Sequence, residues 1–283
     1  MKLSHVQNYY HRTESKWGYL IVMGRSQHIG FYEDKQNKAK LNEKTAQKKL
    51  HDKIVEYLEP TSNDSILDIG CGQGFVAVDL AKRYNLNITG IDCTPYMIKN
   101  AQKYSQRENV SEKTTFLIQD YNNTKFPNNY FDHIYAVETL CHSLNLQKTL
   151  NEIYRILKPG GKFLSLEYIL DSSKLKNTKY EASFYDTLSR HTASPSLKHF
   201  EKDEFTQMAK ASGFELIKKI NVTENCYPSI KRLTRLAKIP YFVIKTLGIE
   251  EKFINTWIGA NCQEVVDLGY WGYMHIIYTK PIP

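Results

Sequence analysis

The chain has 283 residues, enough for one large domain or for one domain with a substantial insertion. Its composition, 41% hydrophobic and 24% charged, is that of a globular protein and argues against a disordered chain. The net charge of +8 permits an acidic partner, but the Lys residues are scattered. No nucleic-acid partner is expected, because the interleaved basic and aromatic pattern of nucleic-acid binding is missing.

Five cysteines lie far apart and form no CxxC pair, which argues against both a zinc site and a disulfide framework. Free thiols favour a reducing compartment, and the N-terminus lacks the apolar core of a signal peptide. The longest apolar stretch near the C-terminus, residues 239–249, contains Lys245 and is too short to span a bilayer. We therefore expect a cytoplasmic protein without a transmembrane segment.

The first 59 residues predict a helical arm or lid. Helices are expected over residues 3–10 and 39–58, and the stretch 24–32 between them has the composition of a loop.

From residue 60 the pattern alternates between short apolar runs and amphipathic stretches. Strands are predicted over 65–69, 87–91, 115–118, 131–137 and 162–169, with helices over 75–84, 95–107 and 146–157. The alternation is lost from 171 to 200, and it resumes with a helix over 201–212 and a strand over 214–222. A helical segment over 226–268 and a last strand over 272–279 complete the chain.

This order predicts an α/β fold: a doubly wound, seven-stranded, mostly parallel sheet with an N-terminal helical arm and lid insertions. The predicted division is an arm over 1–59, a core over 60–170, and insertions with the last strands over 171–283.

The most informative motif is the glycine cluster that follows the first strand, Asp68-Ile69-Gly70-Cys71-Gly72-Gln73-Gly74. Such a turn lets a ligand lie against bare backbone at the carboxyl end of a strand. Its spacing departs from the dinucleotide fingerprint, and a carboxylate at Asp68 suits a cationic ligand better than a pyrophosphate. Asp92, at the end of the second strand, can accept both hydroxyls of a ribose.

These residues resemble the first motifs of class I S-adenosylmethionine-dependent methyltransferases. Residues 119–121, Gln-Asp-Tyr, match the place where that family holds the adenine amine, and residues 157–162 match its turn into the fifth strand. The resemblance implies S-adenosyl-L-methionine as cofactor. The residues it places at the cofactor are Tyr10, His28, Asp68, Gly70, Cys71, Gly72, Asp92, Cys93, Met97, Gln119, Asp120, Tyr121 and Val137.

A second resemblance concerns the methyl acceptor. Residues 135–143, residues 152–161 and the His-Ile-Gly-Phe-Tyr segment at 28–32 are similar to the sterol and prenyl-diphosphate C-methyltransferases. Tyr9-Tyr10 matches a paired-tyrosine element that closes over the cofactor. The resemblance implies methylation of an alkene carbon in an isoprenoid, such as a prenyl diphosphate, another terpene or a sterol-like lipid.

Alkene methylation leaves a carbocation that must be stabilised and then deprotonated. Aromatic faces and a carboxylate stabilise such a cation, and a carboxylate can also act as base. Glu138 is the predicted base, with His142 as an alternative or a relay, because positions i and i+4 of a helical turn face one side. A structural hydrogen bond for His142 and a cofactor contact for Glu138 remain open.

Downstream aromatic residues could line an apolar substrate cavity or belong to the core: Phe184, Tyr185, Tyr227, Trp257, Tyr270 and Trp271. Basic residues could instead bind a diphosphate, which would bring Mg²⁺ with it: Arg190, His191, Lys198, Lys231, Arg232 and Arg235. The sequence leaves two other functions open, an O- or N-methyltransferase of another small molecule and a cofactor-binding sensor without activity. It also leaves open whether the chain forms a homo-oligomer.

Overall fold

The computed structural model describes residues 2–11, 23, 26–36, 40–181, 185, 188–189 and 192–283. Seven strands form one sheet in the order β3-β2-β1-β4-β5-β7-β6. The strands are β1 (Ser65–Ile69), β2 (Asn87–Asp92), β3 (Thr114–Ile118), β4 (Phe131–Val137), β5 (Leu157–Leu170), β6 (Glu215–Asn221) and β7 (Trp271–Thr279).

The longer helices are α1 (Leu3–His11), α2 (Glu43–Leu58), α3 (Phe75–Tyr84), α4 (Pro95–Arg107), α5 (Leu146–Ile156), α6 (Glu204–Ala211), α7 (Thr223–Thr246) and α8 (Ile254–Asp267). Short 3₁₀ turns stand at Leu140–His142, Ser172–Leu175, Leu197–Phe200 and Glu250–Lys252.

Strands β1 to β5 pair in parallel, and only β7 runs antiparallel to its two neighbours, β5 and β6. The predicted fold class is confirmed. The division of the chain at residues 59 and 170 stays a prediction.

Two hydrophobic cores form on the opposite faces of the sheet, because neighbouring residues in a strand point to opposite sides. Leu67 of β1 packs in the core that includes α5 and α6, whereas the adjacent Ile66 packs in the core that includes α2, α3 and α4. Helix α2 buries Ala46, Leu50, Ile54 and Leu58, one residue per turn, and its first turn is capped by the Asn42 side chain.

Several predicted boundaries differ from the structure, and two of these differences have a clear physical reason. The helix expected over 39–58 begins at Glu43, since the Asn42 side chain accepts a hydrogen bond from the backbone N–H of Thr45 and so marks the helix start. Strand β5 begins at Leu157 instead of residue 162. Its pairing with β4 shifts in register between Phe131 and His133, and this shift lets the Pro-Gly-Gly turn lie within the paired strand.

The strand order reverses direction between β1 and β4, so helices leave these two strands toward opposite faces of the sheet. The carboxyl ends of β1, β2 and β4 meet at this switch point, where doubly wound sheets bind ligands. The residues that follow these three strands form the candidate site.

Candidate functional site

The glycine loop joins β1 to α3 at the switch point. Gly70 has a φ of +68°, and a Cβ atom there would lie 1.9 Å from the hydroxyl oxygen of Thr139, so no other residue fits this turn. At Gly72, also left-handed, a Cβ would meet the Gln27 side chain at 3.4 Å and no other described residue within 4 Å. The loop therefore presents bare backbone to the space above the sheet.

Asp92 ties the second strand to this loop. One carboxylate oxygen accepts a hydrogen bond from the backbone N–H of Gly72 at 3.1 Å, and the other accepts from the N–H of Thr94 at 2.7 Å. Burial raises the pKa of Asp92, but these two donors stabilise its ionised form. Each oxygen keeps further acceptor capacity, as contact with two ribose hydroxyls requires.

Asp68 carries a buried carboxyl group with an unused oxygen. The side chain is 2% exposed, and its Oδ2 atom has no hydrogen-bond partner among the described residues. Burial raises its pKa to about 8. Because Asp68 also lines the cavity above the glycine loop, this orphaned oxygen fits a ligand that brings its own positively charged donor.

Most of the predicted cofactor residues line this first cavity, which we call the cofactor cavity. Sequence reasoning missed Gln27, Gln73, Thr94 and Thr139, which lie beside the predicted residues in the chain. The predicted residues that line it are Tyr10, His28, Asp68, Gly70, Cys71, Gly72, Asp92, Cys93, Met97, Tyr121, Val137, Glu138 and His142.

Two residues predicted to contact the adenine, Gln119 and Asp120, are not among the described residues that line the cofactor cavity. The Asp120 carboxylate accepts hydrogen bonds from the backbone and side chain of Asn122, both at 2.8 Å, and so holds its own turn. The side-chain oxygen of Gln119 accepts from the backbone N–H of Lys125 at 2.8 Å. Of the residues 119–121, only Tyr121 is among the described residues that line this cavity.

A second, apolar cavity of about 220 Å³ opens beside the first, and we call it the acceptor cavity. Tyr10, Gln27, Glu138 and His142 line both cavities, so these four residues stand where the two spaces meet. Its other walls are largely aliphatic and aromatic, and they include Leu170, Leu188, Leu197, Leu233, Leu236 and Trp271.

Of the four aromatic residues predicted to contact substrate, Trp271 lines the acceptor cavity. Tyr185 and Trp257 pack against the core instead, and the Tyr227 hydroxyl donates a hydrogen bond to Asp267 at the protein surface. Tyr270 is a fully buried core residue. Phe184, Arg190 and His191 lie outside the described residues.

Glu138 is held by three donors. Its carboxylate accepts hydrogen bonds from the Tyr168 hydroxyl at 2.5 Å, the Ile29 backbone N–H at 3.0 Å and the Tyr273 hydroxyl at 3.1 Å. Burial raises the pKa of Glu138, and these three donors oppose that effect by stabilising the carboxylate. Glu138 also adopts a left-handed φ of +49°, an uncommon conformation that this network fixes.

His142 forms a separate pair with Tyr10. Its Nδ1 atom lies 3.0 Å from the Ala193 carbonyl, which can only accept, so Nδ1 carries the hydrogen. Its Nε2 atom then accepts from the Tyr10 hydroxyl, 2.8 Å away. Burial lowers the pKa of His142 and keeps the ring neutral.

The predicted helical turn that would align Glu138 with His142 is wrong. The left-handed backbone at Glu138 breaks the turn, and only Leu140–His142 is helical, as a 3₁₀ turn. The buried Glu167 carboxylate accepts from the backbone N–H groups of Thr139 and Leu140 at 2.7 and 2.6 Å and fixes this geometry. Glu138 and His142 meet at the cavity junction through separate anchors.

Known proteins resemble this chain in sequence and in fold. Residues 67–165 match the family described as "Methyltransferase domain". An S-adenosyl-L-methionine-dependent Diels-Alderase of Talaromyces variabilis is 25% identical over 98% of this chain and 94% of its own length. The sterol 24-C-methyltransferase of Saccharomyces cerevisiae is 30% identical over 57% of this chain, but the match covers 42% of that enzyme.

Solved structures extend the likeness in fold to nearly the whole chain. The [4+2]-cyclase SpnF superposes with a TM-score of 0.76 and 21% identity, covering 98% of this chain and 96% of its own. A geranyl diphosphate methyltransferase superposes with a TM-score of 0.70 and 15% identity, covering 98% of both chains.

The glycine loop, Asp92 and the unpartnered oxygen of Asp68 fit S-adenosyl-L-methionine, whose ribose and positively charged amino acid end need such acceptors. Residues 67–165 thus match a methyltransferase domain, and the chain resembles the sterol and terpenoid C-methyltransferase group of the S-adenosylmethionine-dependent methyltransferases.

Proposed function

We propose that the protein transfers a methyl group from S-adenosyl-L-methionine to an alkene carbon of a neutral, isoprenoid-like molecule bound in the acceptor cavity. The observation that carries this proposal is the position of Glu138 and His142, which line both the cofactor cavity and the acceptor cavity. The five described cysteines are unpaired, and we propose the cytoplasm as the location.

Bound S-adenosyl-L-methionine supplies an electrophilic methyl group on a positively charged sulfur. The π electrons of the acceptor form the new carbon–carbon bond while the sulfur–methyl bond breaks and its electron pair returns to sulfur. The positive charge thereby moves to an acceptor carbon, and loss of a neighbouring proton restores an alkene. The protein must therefore stabilise a cation, exclude water and accept one proton.

Glu138 is suited to stabilising the cation. Three hydrogen-bond donors favour its ionised form, and they also leave its oxygens less available for a proton. The rings of Tyr168 and Tyr273, which hold this carboxylate, also line the acceptor cavity and add their π faces.

We assign His142 as the proton acceptor. Its ring is neutral and its Nε2 lone pair faces the Tyr10 hydroxyl, which lines both cavities. The proton from the acceptor would pass to Nε2 directly or through Tyr10, whose own hydroxyl proton would move to Nε2 in the same step.

The acceptor cavity favours a neutral substrate over a diphosphate. No Lys or Arg belongs to its wall within the described part of the chain, where Glu138 is the one acidic residue that lines it. Lys198, Lys231, Arg232 and Arg235 lie elsewhere, and the described residues contain no cluster of metal-ligating side chains. We therefore assign no step to Mg²⁺.

The test is incubation with methyl-labelled S-adenosyl-L-methionine and a panel of terpenes, sterols, prenyl diphosphates and phenols. We expect label in a carbon-bound product that survives mild acid and base. Glu138→Gln and His142→Ala should each lower the turnover by about a hundredfold or more. His133→Gln, which alters a half-buried histidine outside both cavities, is the matched control and should retain turnover.

Label found only on oxygen or nitrogen would show an O- or N-methyltransferase and refute carbon methylation. Full turnover in both Glu138→Gln and His142→Ala would refute the assigned roles even if carbon is methylated.

Cyclisation is a second candidate, favoured by the match to the Diels-Alderase along 98% of this chain. A cyclase would convert a polyene to a product of the same mass, with the cofactor unconsumed and no label transferred. Mass spectrometry of the same incubations separates the two functions.

A further inference from the structure

Helix α7 carries an exposed apolar face in its second half. Leu236, Ile239 and Val243 recur along one side of the helix and Leu247, its C-cap residue, continues that side, with Phe242 beside them. The exposed fractions reach 76% at Ile239 and 72% at Phe242. We call these five residues the docking face. Soluble surfaces seldom expose so many large apolar side chains together unless a partner covers them.

The other side of α7 explains why the docking face does not pack inward. The buried residues of this helix include its contacts with α8, and they are Cys226, Ser229, Ile230, Thr234, Ala237 and Ile244. The helix therefore packs against the rest of the protein through these residues and does not need the docking face for that packing.

Charge identifies the kind of partner. Residues 225–249 contain five basic residues and no acidic residue. An exposed helix with large apolar residues and flanking Lys and Arg binds the surface of an anionic bilayer: the apolar side chains enter the acyl boundary and the basic ones meet the headgroups. The five basic residues are Lys231, Arg232, Arg235, Lys238 and Lys245.

We propose that the docking face of α7 binds the protein to the surface of an anionic lipid bilayer. No helix among the described residues is long and apolar enough to cross a membrane, so the contact is peripheral. A second copy of the chain would be a poorer occupant, because the same five positive charges would have to face one another across a symmetric interface.

The docking face also adjoins the acceptor cavity. Leu236 belongs to both, and Leu233, Ala237 and Pro240 of the same helix line the cavity wall. A bilayer on this face would bring its acyl region to the wall of the acceptor cavity. We infer, on the basis of the proposed function, that the acceptor is a membrane-dissolved lipid that enters from the bilayer.

The experiment is sedimentation of the full chain with vesicles of phosphatidylcholine, with and without phosphatidylglycerol, in the absence of cofactor and acceptor. We expect binding that needs phosphatidylglycerol and weakens with salt. The double substitution Ile239→Asp/Phe242→Asp should weaken binding by at least about tenfold. The matched control is Ile282→Asp, at a residue 77% exposed near the C-terminus, which should bind as the unsubstituted protein does.

Lys238→Gln and Lys245→Gln should each weaken binding by roughly fivefold. Equal binding with and without phosphatidylglycerol, no binding to either, or unchanged binding of Ile239→Asp/Phe242→Asp would overturn the proposal. So would a dimer in sedimentation equilibrium that this double variant dissociates, because a second copy would then cover the face.

A separate measurement distinguishes failure of the proposed function. With acceptor dispersed in detergent micelles, the double variant should turn over as fast as the unsubstituted protein, since neither residue lines a cavity. With acceptor dissolved in anionic vesicles, its turnover should fall. Vesicle binding without methyl transfer in any medium would refute the proposed function and leave the docking proposal intact.

Discussion

At the scale of single residues, Asp68 should make ligand binding in the cofactor cavity depend on pH. Its carboxyl is buried, one oxygen lacks a partner, and burial raises its pKa to about 8. Near neutral pH the group is therefore mostly protonated before a cation arrives. A ligand with a positively charged amine favours the carboxylate, so binding displaces the proton.

We predict that the affinity for S-adenosylhomocysteine rises with pH between about 6 and 8, by up to about tenfold per unit, because less proton has to be displaced. Asp68→Asn should lower the affinity by about 10- to 100-fold and flatten this pH dependence. Calorimetry in buffers of different ionisation enthalpy measures both the affinity and the released proton.

Methylthioadenosine, which lacks the amino acid end, is the matched ligand. Its affinity should be nearly independent of pH and of the Asp68→Asn substitution. An equal loss for both ligands would mean that Asp68 shapes the glycine loop and makes no contact with the amine.

Single site residues could be predicted from the sequence where the backbone geometry allows few residue types. Gly70 and Asp92 follow from the sequence because a left-handed turn and a strand end allow few alternatives. The role of Asp120 could not be predicted in the same way. Its carboxylate can accept hydrogen bonds from its own turn, and it does so from Asn122. Gln27 was missed because a polar residue in an irregular segment carries no periodic signal.

At the scale of elements, the segment 26–32 is held between α2 and α7. The Gly30 N–H donates to the Ser229 hydroxyl at 2.8 Å and to the Glu43 carboxylate at 3.1 Å, and Phe31 N–H donates to the Ala46 carbonyl at 2.9 Å. The same segment supplies Gln27 and His28 to the cofactor cavity. Docking of the segment on α2 therefore positions part of the site.

Gly30→Ala should disturb this docking. A Cβ atom at Gly30 would lie 2.5 Å from the Cβ and 2.9 Å from the carbonyl carbon of Ala46, and backbone cannot yield as a flexible side chain does. We expect a loss of about 1–3 kcal/mol in the free energy of unfolding, together with weaker cofactor binding. Urea denaturation and calorimetry measure the two effects.

The Ala46→Gly background supplies the control. Glycine within a helix costs about 1 kcal/mol by itself, but it removes the Cβ that Gly30→Ala would strike. The effect of Gly30→Ala should then be smaller than in the original background, as a double-mutant cycle detects. Equal losses in the two backgrounds would contradict a direct clash between these residues.

Elements with strong periodicity were predicted from the sequence almost to the residue, as β1, α3, α4 and β4 demonstrate. The segment 24–32 was interpreted as a loop because it lacks any period, yet Ile29, Phe31 and Tyr32 are buried. Its burial comes from contacts with α2 and α7, which lie far away in the chain. Local pattern cannot reveal such contacts.

At the scale of the whole molecule, two buried histidines link folding to pH. The His28 ring lies 3.0 Å from His51, which in turn pairs with Asp79 at 2.6 Å, and so joins the arm to α2 and α3. His275 lies within β7, near the Tyr57 hydroxyl. Burial lowers the pKa of each of these two histidines, His28 and His275, to about 3.

Both rings are neutral in the folded protein between about pH 3 and 6.5, whereas the unfolded chain binds protons there. The unfolded state thus holds more protons, and stability must fall as the pH drops through this window, by up to about 1.4 kcal/mol per pH unit for each histidine. His28→Gln and His275→Gln should each flatten the dependence of the free energy of unfolding on pH. Only His28→Gln should also weaken cofactor binding, because His28 lines the cofactor cavity and His275 does not. Urea denaturation from pH 4 to 7, with calorimetry at pH 7, separates the two variants, and an unchanged pH slope in both would contradict buried, neutral imidazoles.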